Sequence, residues 1–329
     1  MITRRDFVGA VGAAVLTPLC GFAQQPGKVW RVGFLAMGRV DLVDSDYTYG
    51  PLTQGLRELG YVLGKNLVIE WRSAEGKYER LPELAAELVR LKVDVLAANG
   101  TPASFAAQKA TTSIPIVMVN VADPVGAGLV KSLARPEGNS TGLSNMINEL
   151  GPKVLEMLRG MKPKVNRVAV LLNPANAANI LVLKDVQAAA QKLSVKIQPV
   201  EASTVAEITS AFAMMARQNA EALVVLREPF FQQQRNQIVA LAAKQRLPAI
   251  GTYGEFVEAG GLMAYGANLG EINRRAATYI NKIFKGVKPS DLPVEQPTRF
   301  DMVVNLKTAK ALGLTVPPVI MVQATKVIE

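Results

Sequence analysis

The sequence has 329 residues, which is more than one hydrophobic core usually serves, so we expect two lobes. It is 49% apolar and 19% charged, as in globular proteins, and its net charge of +10 comes from scattered basic residues, which does not favour nucleic-acid binding. There is no histidine and one cysteine, Cys20, which excludes an internal disulfide and a cysteine-based zinc site and removes the commonest general base. We therefore expect no metal, no cofactor and no catalysis.

The first 23 residues are predicted to be a cleavable export signal. Arg4 and Arg5 precede an apolar run over residues 7–19, and small residues lead to a cleavage site after Ala23. The apolar run is too short to span a membrane as a helix. We therefore expect the protein in the periplasm.

The export route stays open between two kinds of signal. The stretch TRRDFVG resembles a twin-arginine signal, although paired arginines also occur in ordinary Sec signals. A lipid anchor at Cys20 is disfavoured, because Pro18 and the bulky Leu19 stand where a lipoprotein signal has small residues. Cleavage after Ala23 would leave a mature chain without cysteine, which suits an oxidising compartment.

An alternation of short apolar strands and amphipathic helices begins at Val29. Strands separated by helices of this length indicate βαβ units and a parallel sheet. The predicted strands are VWRVGFLA (29–36), NLVIEWR (66–72), VDVLAANG (93–100), IPIVMVN (114–120), RVAVLLNP (167–174), VKIQPVE (195–201), ALVVL (222–226), LPAIGTYG (247–254) and LMAYG (262–266). The predicted helices are PLTQGLRELG (51–60), RLPELAAELVRL (80–91), TPASFAAQKATT (101–112), ANILVLKDVQAAAQKL (178–193), VAEITSAFAMMARQ (205–218) and QQQRNQIVALAAKQ (232–245).

Three segments of the first half correspond in order to three of the second half. LRELGYVLGKNLVIE corresponds to AAQKLSVKIQPVE, ELVRLKVDVLAANG to MARQNAEALVVLREP, and QKATTSIPIVMVN to AAKQRLPAIGTYG. Each pair lies about 130 residues apart. Any two αβ segments look alike, but three pairs in one order predict two similar lobes.

Small, polar and acidic residues follow the predicted strands directly. In an open parallel sheet, ligands bind outside the carboxyl ends of the strands. If the lobes face each other, these ends line one cleft. The ends are Ala36–Gly38, Gly100–Ser104, Asn120–Asp123, Asn173–Pro174, Arg227–Pro229 and Thr252–Glu255.

Two of these ends together suggest a clamp for a zwitterion. In NGTPAS, the helix that starts at Thr101 would offer backbone N–H groups to a carboxylate, although the motif also fits a plain helix cap. Asp123 would attract an ammonium group, although it also fits an Asp-Pro turn. The pair would suit an α-amino acid, with hydrogen bonds added by Asn173 and Glu228 and an aromatic face by Tyr253.

Nothing in these ends indicates nucleotide binding or catalysis. The phosphate-binding patterns G-x-x-x-x-G-K-[ST] and, after the first strand, G-x-G-x-x-G are absent. Asp123 and Glu228 could form a glycosidase-like pair, but the sequence does not give their separation.

Five stretches of the sequence are distinctive together: GTPAS, IPIVMVNVADPVGAGLVKSLARPEGNSTG, RVAVLLNP, EFVEAGGLMAYG and LPVEQPTRFDMVVNLKTAKALGLTVPP. They resemble the ABC-transporter substrate-binding protein family that includes the tryptophan- and tyrosine-type binding proteins. The resemblance covers essentially the whole mature chain, in order.

The resemblance implies an α/β protein with the periplasmic binding protein type I fold, in which two Rossmann-like lobes with open parallel sheets are joined by a three-segment hinge. It implies an N-terminal lobe of residues 28–145 plus about 266–290, and a C-terminal lobe of 146–265 plus about 291–329. The hinge is expected near residues 143–150, 264–267 and 291–300. The implied ligand-binding residues are Met37, Gly38, Thr101, Ser104, Asn120, Asp123, Asn173, Glu228 and Tyr253.

The resemblance implies a monomeric periplasmic component of an ABC importer. It would capture a small organic ligand, an amino acid (aromatic in known relatives) or a related carboxylate, and pass it to a permease in the inner membrane. Two alternatives remain, a sensory ligand-binding protein that serves a receptor kinase and an exported α/β hydrolase or isomerase. A DNA-binding repressor with the same lobes is disfavoured, because an export signal stands where a helix-turn-helix would be needed.

Overall fold

Two open β-sheets organise the chain, which the computed structural model describes over residues 28–38 and 50–329. The predicted export signal, residues 1–23, lies outside the described residues. None of the described helices is long and apolar enough to cross a membrane. The strands are β1 (Trp30–Ala36), β2 (Leu67–Ser73), β3 (Val95–Asn99), β4 (Ile116–Val121), β5 (Ser140–Ser144), β6 (Arg167–Leu172), β7 (Lys196–Glu201), β8 (Ala222–Val225), β9 (Ala249–Gly251), β10 (Met263–Ala267), β11 (Phe300–Asn305) and β12 (Lys326–Ile328). The helices are α1 (Gly50–Glu58), α2 (Leu81–Arg90), α3 (Thr101–Ala110), α4 (Ile147–Met161), α5 (Ala177–Lys192), α6 (Val205–Arg217), α7 (Pro229–Gln233), α8 (Arg235–Lys244), α9 (Gly254–Glu258), α10 (Leu269–Phe284), α11 (Leu306–Leu312) and α12 (Pro318–Gln323).

The first sheet has the strand order β2-β1-β3-β4-β5, and its strands pair in parallel. All six residues of β4 are buried, as expected of a strand in a sheet that helices cover on both faces. Helix α2 buries Leu81, Leu84 and Leu88, whose spacing of three and four residues places them on one face. The apolar runs therefore form strands, and the helices between them complete the lobe.

The second sheet has the order β7-β6-β8-β9-β10-β11-β12, and one of its pairings is antiparallel, so β11 and β12 run opposite to the other five strands. Strand β11 pairs with β10 in the antiparallel direction, with Phe300 opposite Ala267. The chain leaves the second sheet at the carboxyl end of β10 and re-enters beside that same end. The strand it then forms must run the other way, which the prediction of parallel sheets did not include.

The two sheets share one strand order, since β7-β6-β8-β9-β10 repeats β2-β1-β3-β4-β5. The prediction of two similar open-sheet lobes is confirmed. In both lobes the order reverses at the first strand, β1 or β6. Open α/β sheets bind ligands outside the carboxyl ends of the strands at such a reversal, so the fold directs attention to those ends.

The chain crosses between the lobes after β5, after β10 and before β11. Helix α10 lies in the first lobe against α1, so closely that an alanine at Gly55 would place its Cβ 2.9 Å from that of Ala277. The segment after α10 also stays with the first sheet, because Glu295 N donates to Gly142 O at 3.0 Å. The third crossing therefore lies at residues 296–299, later than the lobe boundary of about 291 taken from the resemblance.

Gly142 in β5 gives a test of how closely the strands of the first sheet pack. Its φ of +144° disfavours side chains, and an alanine Cβ there would collide with the backbone of Met118 in β4. Gly142→Ala is therefore expected to lower the free energy of unfolding, measured in urea, by about 1–3 kcal/mol more than a control. The control is Gly64→Ala, at a φ of +76° with no atom near the added Cβ. Equal losses in the two variants would contradict this packing.

Candidate functional site

The lobes touch each other at the carboxyl ends of β2 and β8. The hydroxyl of Tyr78, in the segment that follows β2, donates a hydrogen bond of 2.6 Å to Oε1 of Glu228, which follows β8. On the same side, an alanine Cβ at Gly38 would lie 3.4 Å from Nε2 of Gln233, and one at Gly76 would lie 3.7 Å from Phe230. The first lobe is therefore in contact with α7 of the second.

Glu228 is held in place by its own lobe as well as by Tyr78. It is 1% exposed, and its Oε2 accepts a hydrogen bond of 2.8 Å from Nδ2 of Asn176. Glu228 also caps α7, since Oε1 accepts from Phe230 N at 3.4 Å. Burial raises the pKa of Glu228, and the hydrogen bonds from Tyr78 and Asn176 oppose this. Both carboxylate oxygens thus have protein donors.

Asn173 belongs to a network of asparagines that fixes the strand ends of the second lobe. Its backbone N–H donates to Oδ1 of Asn179 at 3.0 Å, and its Oδ1 accepts from Ala175 N at 3.1 Å. Nδ2 of Asn179 donates to the carbonyl of Arg227 at 3.0 Å. The ends of β6 and β8 are therefore tied together beneath the lobe contact.

In the first lobe, the hydroxyls of Thr101 and Ser104 serve internal contacts. Oγ1 of Thr101 accepts from Ala122 N at 3.3 Å, and Oγ of Ser104 donates to Gly100 O at 2.9 Å. Gly100 begins α3 with a φ of 91°, and no side chain caps this helix start. These contacts place the start of α3 beside the end of β4.

Asn120 is the predicted site residue with the most unusual environment. Its φ of 61° is rare for a residue with a side chain, and it lies at a register shift between β4 and β5. The residue is 4% exposed, and its Oδ1 has no hydrogen-bond partner among the described residues. Backbone strain together with an unpaired buried acceptor is typical of ligand-binding positions.

Asp123 takes part in the turn that follows β4. Its Oδ1 accepts a hydrogen bond of 2.8 Å from Gly126 N, and its carbonyl accepts one of 2.9 Å from Ala127 N. The Asp-Pro turn considered from the sequence is therefore present. Contact between Asp123 and a ligand stays a prediction.

Met37 and Gly38 contribute through their backbones. The side chain of Met37 is buried in the first-lobe core, and its carbonyl accepts from Gly76 N at 2.9 Å. The carbonyl of Gly38 accepts a hydrogen bond from Oγ of Ser73. These bonds fix the segment that carries Tyr78 toward the second lobe.

Tyr253 lies at the end of β9 and is almost completely buried. It is 4% exposed, and its hydroxyl has no hydrogen-bond partner among the described residues. Burial, and then the charge of Glu255, raises the pKa of this hydroxyl, so it stays a donor. Thr252 Oγ1 and Gln233 Nε2 are likewise buried and unpaired. Polar atoms without protein partners therefore gather at the lobe contact and at the neighbouring strand end.

A cavity of about 280 Å³ adjoins Tyr253 and Glu255. It is bounded by residues 266–270 and by Arg299, where the chain crosses between the lobes. None of the predicted first-lobe residues lines it. A second cavity, of about 260 Å³, lies between residues 295–299 and the start of α10. The structure thus brings Glu228 to Tyr78 directly, while Tyr253 lies on a separate cavity near the crossings.

Sequence analysis did not identify Tyr78 or Gln233 as site residues. Neither follows an apolar run, and each becomes notable only through its neighbours in the other lobe. Tyr78 is preceded by the polar stretch RSAEGK, in which no motif marks it.

Comparison with known proteins identifies the family. The model of the family described as ABC transporter substrate binding protein matches residues 43–328. The chain belongs to this family. It is a substrate-binding protein and not an enzyme, and its family resemblance is confirmed.

Two proteins similar to this chain are described with an aromatic amino acid as their ligand. The chain is 27% identical over 261 residues to a tyrosine-binding protein of Clostridioides difficile, covering 79% of this chain and 75% of that protein. It is 25% identical to the ABC domain from Streptococcus pneumonia solved in complex with L-Trp, with a TM-score of 0.83, covering 91% of this chain and 99% of that one.

A ligand-free, open structure of a substrate-binding protein from Clostridium difficile fits less well. Its identity of 25% and its coverage of 91% and 99% equal those of the L-Trp complex, but its TM-score is 0.65. The overall arrangement of the chain is therefore more similar to that of the L-Trp complex than to that of the open structure.

The fold is that of the type I periplasmic binding proteins, as predicted. A leucine-binding protein from Thermotoga maritima, 12% identical, shares it with a TM-score of 0.59, covering 78% of this chain and 83% of that one. At this identity the likeness shows the fold alone.

The buried carboxyl of Glu228 predicts a defined dependence of stability on pH. Because its pKa is raised above 4.5 in the folded protein, its contribution is fully present below pH 4.5 and is lost as pH rises through the raised value. The free energy of unfolding of the wild type should therefore fall over this range relative to Glu228→Gln. Urea unfolding at successive pH values measures the difference.

The control for this pH profile is an exposed glutamate whose pKa is shifted the other way. Hydrogen bonds from Ser203 lower the pKa of Glu207, so its contribution is lost as pH falls. Glu207→Gln should change the profile with the opposite sign. Parallel profiles of the wild type and Glu228→Gln would contradict the prediction.

Proposed function

We propose that the protein captures an amino acid, aromatic as in its relatives, between its lobes in the periplasm and delivers it to the permease of an ABC importer. The observation that carries this proposal is the contact between Tyr78 and Glu228, which joins the strand ends of the two lobes within a family of substrate-binding proteins. The named ligands of two relatives support an amino acid. The sequence of residues 1–23 supports export.

Ligand binding would act by shifting the equilibrium between open and closed lobes. A ligand stabilises the closed arrangement only to the extent that it binds that arrangement better, which requires contacts to both lobes. The bond from Tyr78 to Glu228 spans the lobes, so it adds to the ligand's own contacts when they close. A permease that recognises the closed arrangement would then receive only loaded protein.

The ligand class is tested on the full chain, expressed with its own N-terminal sequence and purified from the periplasm. Thermal unfolding is followed with amino acids, deaminated aromatic acids, sugars and nucleosides, and native mass spectrometry identifies any ligand retained through purification. A ligand at a hundred times its dissociation constant adds about 2.7 kcal/mol of stability, a visible shift of the melting temperature. Stabilisation by aromatic amino acids is expected. Stabilisation by sugars or nucleosides alone would reject the proposal, and recovery of the chain only from the cytoplasm would reject its location.

The contribution of closure is tested by Tyr78→Phe, which removes one hydroxyl. The loss of the hydrogen bond to Glu228 should weaken amino-acid binding about tenfold, or about 1.4 kcal/mol, with the melting temperature of the unliganded protein little changed. Isothermal titration calorimetry measures the affinity.

Tyr61→Phe is the matched control for Tyr78→Phe. Its hydroxyl donates to Oδ1 of Asn281 at 2.9 Å, between two parts of the first lobe, and does not cross the cleft. This variant should bind as the wild type does. Equal affinities of the Tyr78→Phe variant and the wild type would show that the bond has no part in closure.

A further inference from the structure

Arg227, at the end of β8, has no side-chain partner in the part of the chain that the structure describes. Its backbone is fixed, because its carbonyl accepts the hydrogen bond from Asn179. Its guanidinium makes no hydrogen bond or salt bridge with any residue that the structure describes. Two other arginines of the second lobe are engaged, Arg167 with Glu221 at 2.6 Å and Arg235 with Gln232 O at 2.8 Å.

The acidic neighbours of Arg227 do not neutralise it directly. Glu228 has its two oxygens occupied by Tyr78 and Asn176. Glu255 accepts from Nε2 of Gln232 at 3.3 Å and forms no salt bridge with Arg227. Enclosure in the protein lowers the pKa of the guanidinium, and the nearby acids and Tyr253 oppose this. The side chain of Arg227 is only half-buried, so an anion from outside the protein can still pair with its guanidinium.

The hydroxyl of Tyr253 is a second, independent indication of a ligand at this place. It is buried and has no hydrogen-bond partner among the described residues. Strands β8 and β9 pair in parallel with Val224 opposite Ile250, and the same register three residues further on places Arg227 beside Tyr253. A guanidinium offers a fork of N–H donors that matches a carboxylate, and a phenol adds one more donor. The two side chains together form a site that lacks only an acceptor with negative charge.

We infer that Arg227 binds the carboxylate of the captured amino acid, with the hydroxyl of Tyr253 as a further donor. This inference rests on the proposed function and assigns the ligand's charged groups to the lobes. It places the carboxylate in the second lobe, whereas sequence analysis placed it at the start of α3 in the first.

The ammonium group of the ligand then falls to the first lobe. Oδ1 of Asn120 is a buried acceptor to which no described residue donates, in a backbone held at a φ of 61°. An ammonium group has three donors and no acceptor, so it satisfies such an oxygen. A zwitterion bound in this way has one charged group on each lobe. It therefore binds the closed arrangement, where both lobes contact it, more tightly than it binds either lobe alone.

The test combines a change in the protein with a change in the ligand. Wild type and Arg227→Gln are titrated by calorimetry with L-tyrosine, with L-tryptophan and with the carboxamide of each, in which a neutral amide replaces the carboxylate. The wild type should prefer each acid to its amide by about 100-fold, and Arg227→Gln should bind acid and amide within a few-fold of each other. Arg217→Gln, at an exposed position late in α6, is the control and should keep the full preference.

The outcomes separate this inference from the proposed function. Amino-acid binding with an unchanged preference for the acid in Arg227→Gln would overturn the inference and leave the function intact. If the wild type bound 3-(4-hydroxyphenyl)propionate but no amino acid, and Arg227→Gln lost that binding, the proposed amino-acid function would fall, while Arg227 would keep its role as the residue that binds the ligand's carboxylate. No response of the wild type to any carboxylate would overturn both.

Two further measurements keep the test independent of folding. Circular dichroism establishes that Arg227→Gln is folded, and Arg227→Lys replaces it if it is not. The lysine keeps the charge but loses the fork, so a reduced preference for the acid is expected. The preference of the wild type requires no variant, and equal binding of acid and amide there would already reject the inference.

Discussion

The hydrogen bond from Tyr78 to Glu228 joins the two lobes directly, and the proposed closure around a ligand depends on it. Its two halves are unequal, because Glu228 is already oriented by Asn176 and by the cap of α7, while Tyr78 comes from the other lobe. The acceptor is thus prepared before closure, and little side-chain freedom remains to be lost when the donor arrives. The asparagine network beneath Glu228 extends this rigidity to the end of β6.

Much of the fold could be predicted from the sequence, because buried strands and amphipathic helices leave periodic apolar patterns. Predicting the strands also located their carboxyl ends, and these ends predicted the position of the cleft. Strand β5 had no such pattern, since its sequence STGLS is polar although all five residues are buried. Its hydroxyls are satisfied by distant segments, as when Thr141 donates to Leu292 O at 2.7 Å. The direction of β11 depends on the path of the chain through the other lobe, which no local pattern records.

The candidate site was harder to predict than the fold, because a sequence shows charge but not whether a partner is present. Asp123 was predicted as a site residue because it is a carboxylate at a strand end, and in the structure it accepts a hydrogen bond from Gly126 N within a turn. Asn120 is uncharged, yet its strained backbone and unpaired oxygen single it out. Glu228 and Arg227 are adjacent in sequence, but Glu228 has partners on both oxygens, while the guanidinium of Arg227 has none within residues 28–38 and 50–329. Only the packed structure separates these cases.

The position of α10 has a consequence for how the protein folds. This helix completes the first lobe, burying residues such as Ile272, Ala276 and Ile280, but it follows β10 of the second sheet in the chain. The apolar face of α1 that it covers stays open to solvent until residue 284 of 329 has been made. Neither lobe is a continuous piece of chain, so a growing polypeptide cannot complete its first lobe until most of the second lobe has been made. Contacts between such distant segments slow folding, and a chain exported while still unfolded would reach its native state only on the far side of the membrane.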